Sequence, residues 1–307
     1  MCRFVSLITP NNIKMAYHTI LGFQKEPFST SPDPDFFYLT KEHETALTSI
    51  LIELRLRRGL TVIFGDMGTG KTTLSRKLVQ ELKKRGDMIF HMILNPSFSG
   101  ERQFLSSLAR NFNVDLSHFV DHEKLDIMDL RDAIEKFLIE KCVEEKRTVI
   151  LIVDEAQKLD LATLETLRLL LNFETNEYKL IQLVLLGQME LYSKVVHMAN
   201  FLDRISFKYT LNPLDLRETK ELIRFRLKAA GAAEGVQYFT DEAVSEIYNF
   251  SRGYPRKITM VCHKTLKELV LQNKLIADRH LVRDVIEKEQ QFIQSGFEKV
   301  ALFKGTT

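Results

Sequence analysis

Between residues 65 and 73 the chain reads Gly65-Asp66-Met67-Gly68-Thr69-Gly70-Lys71-Thr72-Thr73. Glycines let successive backbone N–H groups turn to one side of a loop with no side chain in the way, which is what a string of phosphates requires. Lys71 then supplies a mobile cation for the β- and γ-phosphates, and the Thr72 hydroxyl is placed to ligate Mg²⁺. A second pair with chemistry of its own, Asp154-Glu155, closes the apolar run from Thr148 to Val153. Asp154 is expected to hold Mg²⁺, directly or through water, and Glu155 to polarise an attacking water. Each feature alone also has a plain reading, a glycine-rich turn or two surface acids opening a bend. Occurring together, they make ATP with Mg²⁺ the expected ligand, with residues 65–73 as its binding loop.

Chemistry of this kind needs the loop to lie between a strand and a helix. The run Leu60-Thr61-Val62-Ile63-Phe64 is short and rich in β-branched residues, and Leu74, Leu78, Val79 and Leu82 recur at helical spacing. Further strands are expected at 88–94, 148–153, 179–186 and 207–211, with helices between them at 101–111, 124–145 and 159–173. Before the first strand, Thr40 is a plausible N-cap with His43 where a capping box would carry Glu, for a helix reaching about Arg58. Near-continuous apolar strands alternating with helices read as a parallel, right-handed α/β sheet covered on both faces. Gln188 sits at the tip of the strand at 179–186. There an amide senses a γ-phosphate or orients water, or else simply forms a turn, and position alone leaves both open.

From Leu216 onward the pattern is helical only, at 218–230, 241–251, 255–272 and 278–291, giving a small lid. The expected organisation is a proline and aromatic leader over 1–40, a nucleotide-binding core over 41–211, the lid over 212–295 and a loose tail over 296–307. The leader's prolines and aromatics forbid a long helix but suit wrapping an apolar surface.

Bulk composition narrows the class. Of 307 residues, 45% are hydrophobic and 27% charged, the mixture of an ordinary globular protein. With 43 basic residues against 41 acidic ones, charge does not indicate nucleic-acid binding by the whole chain. Cys2, Cys142 and Cys262 are three and widely spaced, as reduced thiols in the cytoplasm would be. No apolar stretch approaches the ~20 residues that span a bilayer. The opening residues make a poor signal peptide, and Met15 is a candidate start.

Several motifs then fall in one order: Phe23-Gln24-Lys25-Glu26-Pro27-Phe28, Pro32-Asp33-Pro34-Asp35-Phe36-Phe37-Tyr38, the Gly65 to Thr72 loop, Asp154-Glu155-Ala156-Gln157, Leu186-Gly187-Gln188, Asp203-Arg204-Ile205 and Gly253-Tyr254-Pro255-Arg256. In this the chain resembles AAA+ ATPases of the general secretion pathway protein A type, also called ExeA-like, over about residues 16 to 290. The resemblance implies an AAA+ P-loop NTPase fold, a parallel five-stranded sheet with helices on both faces followed by a small all-helical lid. It implies that Gln188 is sensor 1, that Arg204 is an arginine finger acting on a neighbouring subunit's nucleotide, and that Arg256 is sensor 2. It also implies that the leader near Ile20 to Phe28 borders the adenine.

Two departures stand out. Met189 occupies the place of a common proline, and the chain stops without the membrane helix and peptidoglycan-binding domain of the secretion relatives, so membrane anchoring and wall binding are not carried over. The reading that results is a cytoplasmic, homo-oligomeric ATPase. ATP and ADP are its ligands, and an inner-membrane secretion or pilus-assembly machine is its implied partner. The alternatives are a DNA-dependent switch of the TniB transposition kind, and a nucleotide-gated scaffold with little turnover.

Overall fold

A computed structural model describes residues 16–29, 36–117 and 125–304, with side chains as far as residue 292. Met15, the Pro32 to Asp35 part of the leader and Lys124, where a helix is expected to start, lie outside the described residues. In chain order the elements are α1 (Tyr17–Ile20), α2 (Lys41–Leu56), β1 (Leu60–Gly65), α3 (Lys71–Lys83), β2 (Met88–Ile93), α4 (Glu101–Asn111) and α5 (Ile127–Ile139). They continue with β3 (Thr148–Val153), α6 (Leu161–Leu170), β4 (Ile181–Gly187), α7 (Met189–Val195), α8 (Ala199–Leu202) and β5 (Ile205–Leu211). Four longer helices follow: α9 (Leu216–Ala229), α10 (Asp241–Ser251), α11 (Pro255–Leu271) and α12 (Arg279–Lys304). The chain divides into two compact units, one over Leu39–Asn212 and the other formed by the leader up to Tyr38 together with Pro213 onward.

The first unit is built on a five-stranded sheet in the order β2-β3-β4-β1-β5. Every adjacent pair is parallel. β1, β3 and β4 are buried along their whole length, which is why they read as unbroken apolar runs rather than alternating ones. Alternation survives in which face each residue serves. Val62, Phe64, Leu151, Val153, Leu183 and Leu185 join the core with α4, α5 and α6, while Ile63, Ile150, Ile152, Val184 and Leu186 join the one with α2 and α3. In α3 the residues Leu74, Leu78 and Leu82 are completely buried, and each such side chain contributes about 2 kcal/mol of transfer free energy. That stripe seats the helix on the sheet.

The second unit packs α9, α10, α11 and α12 around one apolar core that also takes in Phe23, Phe28 and Phe36 of the leader. Phe23 lies against Tyr238 with ring centroids 4.7 Å apart, and Phe28 meets Phe239 edge-on at 6.1 Å. The Gln24 N–H donates to the Ala230 carbonyl at 2.8 Å, and the Tyr238 hydroxyl to the Leu21 carbonyl at 3.2 Å. The apolar surface that the leader covers is thus that of the helical unit.

Some boundaries differ from the sequence reading. The helix expected over 124–145 is α5, opened by a capping box between Asp126 and Asp129, and it passes into a π-turn at Glu140–Glu144. The helix expected over 159–173 begins later, because Asp160 caps α6 by accepting from the Thr163 N–H. α12 does not stop at Gln291 but continues to Lys304. A single glycine at 296 costs a helix only about 1 kcal/mol, which its helix-favouring neighbours absorb. Among the described residues no helix is long and apolar enough to cross a membrane.

Candidate phosphate and metal site

The site follows from parallel register. Phe64 of β1 pairs with Gly187 of β4, and Val153 of β3 pairs with Leu185 of β4. Three neighbouring strands, β3, β4 and β1, therefore end within about two residues of one another. Their carboxyl ends deliver Asp154 and Glu155, Gln188, and the glycine loop in turn, the edge of an open α/β sheet at which ligands bind.

The loop closes on itself. Gly68 and Gly70 have φ of +89° and +103°, a left-handed geometry that glycine adopts without a Cβ clash. Thr69 is fully buried, its hydroxyl donating to the Asp66 carbonyl at 2.9 Å, and a Cβ on Gly65 would come within 2.7 Å of that oxygen. Asp66 and Met67 are exposed, whereas Thr73 is in the first turn of α3 with its N–H donating to the Gly70 carbonyl at 3.0 Å. No side chain caps α3 at Gly70. The Lys71 and Thr72 N–H groups come before the first intrahelical bond, and with the positive end of the helix dipole they suit an anion.

Lys71 is buried, and its Nζ donates to the carbonyls of Gly65 at 2.7 Å and Asp66 at 2.9 Å. Burial pushes its pKa down, while the charges of Glu155, Asp154, Asp66 and Glu190 push it up. Asp154 is 1% exposed. Desolvation raises its pKa, opposed by hydrogen bonds from the Thr72 side chain and the Glu155 N–H, the latter at 2.9 Å. Ser75 adds a long contact, its hydroxyl 3.5 Å from Asp154 Oδ2. A buried carboxylate beside a threonine hydroxyl is a donor set that suits Mg²⁺, which takes one or two protein oxygens and completes its shell with water and phosphate. Among the described residues no group of three or more His, Cys, Asp or Glu is placed to hold a metal.

Glu155 is half-buried in left-handed backbone geometry at φ +55°, uncommon for a residue with a side chain. Gln157 holds it there: the Gln157 Nε2 donates to Glu155 Oε2 at 2.7 Å. The Oε1 of the same amide accepts from the Gln188 N–H at 3.1 Å, joining the tips of β3 and β4. Gln188 is the N-cap residue of α7, but its side chain caps nothing. Gln157 closes the Asp154-Glu155-Ala156-Gln157 motif, which by itself assigns it no role. Its signal was an amide two residues beyond the acidic pair.

The remaining predicted residues lie elsewhere. Arg204 immediately precedes β5, whose first residue Ile205 pairs with Leu60, so it stands at the end of the sheet away from the glycine loop. Its Nη2 donates to Asn172 Oδ1 at 3.1 Å. Arg256 is exposed in the first turn of α11, in the helical unit. Gly253 sets the turn before it: φ is +76°, and a Cβ there would overlap the Leu214 carbonyl oxygen.

Comparison with known proteins bears on this arrangement. A family model described as an AAA domain matches residues 54–195. General secretion pathway protein A of Aeromonas hydrophila is 36% identical over 252 residues, which is 81% of this chain and 44% of that protein. An uncharacterized HTH-type transcriptional regulator of Methanocaldococcus jannaschii is 26% identical over 255 residues, covering 73% of this chain and 61% of that one. The chain thus spans less than two thirds of the length of these curated relatives. Among solved structures, Cdc6p from Pyrobaculum aerophilum superposes with a TM-score of 0.62 at 19% identity, covering 85% of this chain and 70% of that one. A chain in the structure of Drosophila ORC bound to DNA gives 0.62 at 15% identity, covering 93% and 68%. At such identities the likeness is one of fold.

Proposed function

The chain belongs to the AAA+ P-loop proteins of the general secretion pathway protein A type, and from that premise we propose that it binds and hydrolyses ATP with Mg²⁺ as an oligomer, in the service of assembling a secretion or pilus system. The observation that carries this reading is the convergence of Lys71, Thr72, Asp154, Glu155 and Gln188 on the ends of three adjacent strands. The Lys71 ammonium donates to two loop carbonyls. Phosphate oxygens are stronger acceptors for a charged donor, so binding draws Nζ away from them. Thr72 and Asp154 would hold Mg²⁺, which neutralises charge developing on the transferred phosphoryl group. Glu155 orients and deprotonates the attacking water once its carboxylate turns from Gln157, and Gln188 reads the γ-phosphate from the tip of β4.

Arg204, at the far end of its own sheet, serves the nucleotide of a neighbouring subunit. Arg256 couples the helical unit to the same phosphate. The service to a secretion system is supported by the similarity to General secretion pathway protein A of Aeromonas hydrophila, and the even charge balance favours an envelope role over a DNA-driven switch.

Calorimetry with ATP and ADP, together with phosphate release, tests the reading. Lys71→Ala is expected to abolish binding. Glu155→Gln is expected to bind as the wild type does and to lose turnover by about a hundredfold or more. Turnover by Glu155→Gln at the wild-type rate would remove Glu155 from its role, and absence of nucleotide binding by the folded wild type would remove the whole proposal. Turnover that rises on adding duplex DNA, and falls away with salt, would favour the DNA-driven switch instead.

A further inference from the structure

His43 occupies the third position of α2, where a capping box would place Glu. It is 3% exposed and spans from the start of α2 to the glycine loop. Nδ1 lies 2.7 Å from the Thr40 hydroxyl, and Nε2 lies 3.1 Å from the Thr69 carbonyl oxygen. The same Thr40 oxygen accepts the His43 backbone N–H at 3.2 Å. One protonation state satisfies all three contacts. Nε2 carries the hydrogen and donates to Thr69, Nδ1 accepts from the Thr40 hydroxyl, and Thr40 keeps a lone pair for the N-cap bond. Burial supports that neutral ring.

We propose that His43 is a positioning residue for phosphate binding, which aims the Gly70 N–H by fixing the Thr69 carbonyl. The peptide unit between Thr69 and Gly70 is planar and trans, so its C=O and N–H point in opposite directions. Tying the carbonyl to the imidazole turns the Gly70 N–H to the side away from α2. Among the described residues no acceptor takes that N–H. The contact is also tight: a Cβ on Gly70 would come within 2.7 Å of His43 Nε2. The glycine therefore answers both to its φ and to the ring packed against it. In this way the cap of α2 and the phosphate loop form one hydrogen-bonded chain, Thr40 to His43 to Thr69, which fixes the orientation of the Thr69–Gly70 peptide. This inference rests on the proposed binding of nucleotide at that loop.

Two substitutions of similar polarity separate the bond from mere packing. In His43→Gln the side-chain amide nitrogen takes the place of Nε2 and reaches Thr69. In His43→Asn it takes the place of Nδ1 and is too short to do so. Calorimetric titration with MgADP is expected to show affinity about five- to tenfold weaker for the Asn variant, the equivalent of one hydrogen bond, with the Gln variant within about twofold of the wild type and kcat little changed in either. Equal affinity in all three proteins, or equal weakening in both variants, would overturn the proposal. A measurement on the unmutated protein stands apart from folding of the variants: ¹⁵N shifts of labelled histidine are expected to report the Nε2–H tautomer, and an Nδ1–H tautomer would overturn it as well. Failure of the folded wild type to take up MgADP would instead strike at the proposed function from which this inference starts.

Discussion

At the scale of single residues, the site is a set of polar groups whose burial is compensated by short, specific contacts. Lys71 is a buried cation resting on two carbonyls, Asp154 a buried acid resting on one N–H and two hydroxyls, and His43 a buried ring used at both nitrogens. His43 has a consequence for pH. Desolvation lowers its pKa from the usual 6.5, outweighing the Thr69 hydrogen bond and the Glu42 charge, which raise it. Below 6.5 the unfolded chain therefore binds a proton that the folded one still refuses, and stability rises with pH across that window. The contribution is fully present above 6.5 and is lost as pH falls through the folded value. Melting temperature measured between about pH 7 and pH 5 is expected to fall more steeply for the wild type than for His43→Gln. His91 and His263, also lowered by burial, are common to both proteins and cancel in the difference.

At the scale of elements, termini do most of the positioning. Asp126, Asp160, Asp215 and Thr240 cap the helices α5, α6, α9 and α10 through side-chain oxygens, whereas α3 is capped by none and is left for an anion. Gly253 marks the start of α11 and with it Arg256. Gly253→Ala places a methyl group against the Leu214 carbonyl at a positive φ. A loss of about 2–4 kcal/mol is expected, read as a lowered denaturant midpoint of the helical unit. Wild-type stability in that variant would show that the turn relaxes freely. Leucine periodicity in α3 and the unbroken apolar runs of β1, β3 and β4 made these elements legible from sequence. The late start of α6 and the π-turn after α5 were not, because each depends on one local hydrogen bond competing with helix propensity. A capping aspartate does not announce itself inside an apolar-periodic stretch.

At the scale of the whole molecule, the position of Arg204 carries the prediction. It stands at the end of the sheet opposite the glycine loop, and in the oligomer proposed above it would complete a site in another copy. Arg204→Ala and Lys71→Ala are each expected to be nearly inactive alone. Mixed, they are expected to regain a measurable share of ATPase activity, since Lys71→Ala still offers its arginine and Arg204→Ala still binds nucleotide. An arginine supplied in trans is worth roughly 10³ to 10⁵ in rate, so even partial mixing is readable. Phosphate release from the mixture no greater than the sum of its parts would count against assembly through Arg204.

From its residues alone this chain determined the phosphate loop, the acidic pair, the alternation of strand and helix, and the change to helices after residue 212. Those are local patterns, set by side-chain type and spacing along a few turns or one strand. Tertiary structure decided which strands lie side by side, and so which strand ends meet. It also decided that the leader's aromatics belong to the helical core, that Gln157 bridges Glu155 to the tip of β4, and that a histidine in a capping position reaches the loop 26 residues away. Contacts between segments distant in sequence depend on how sheet order and helix packing close the chain, and that information is not written in the period of any one segment.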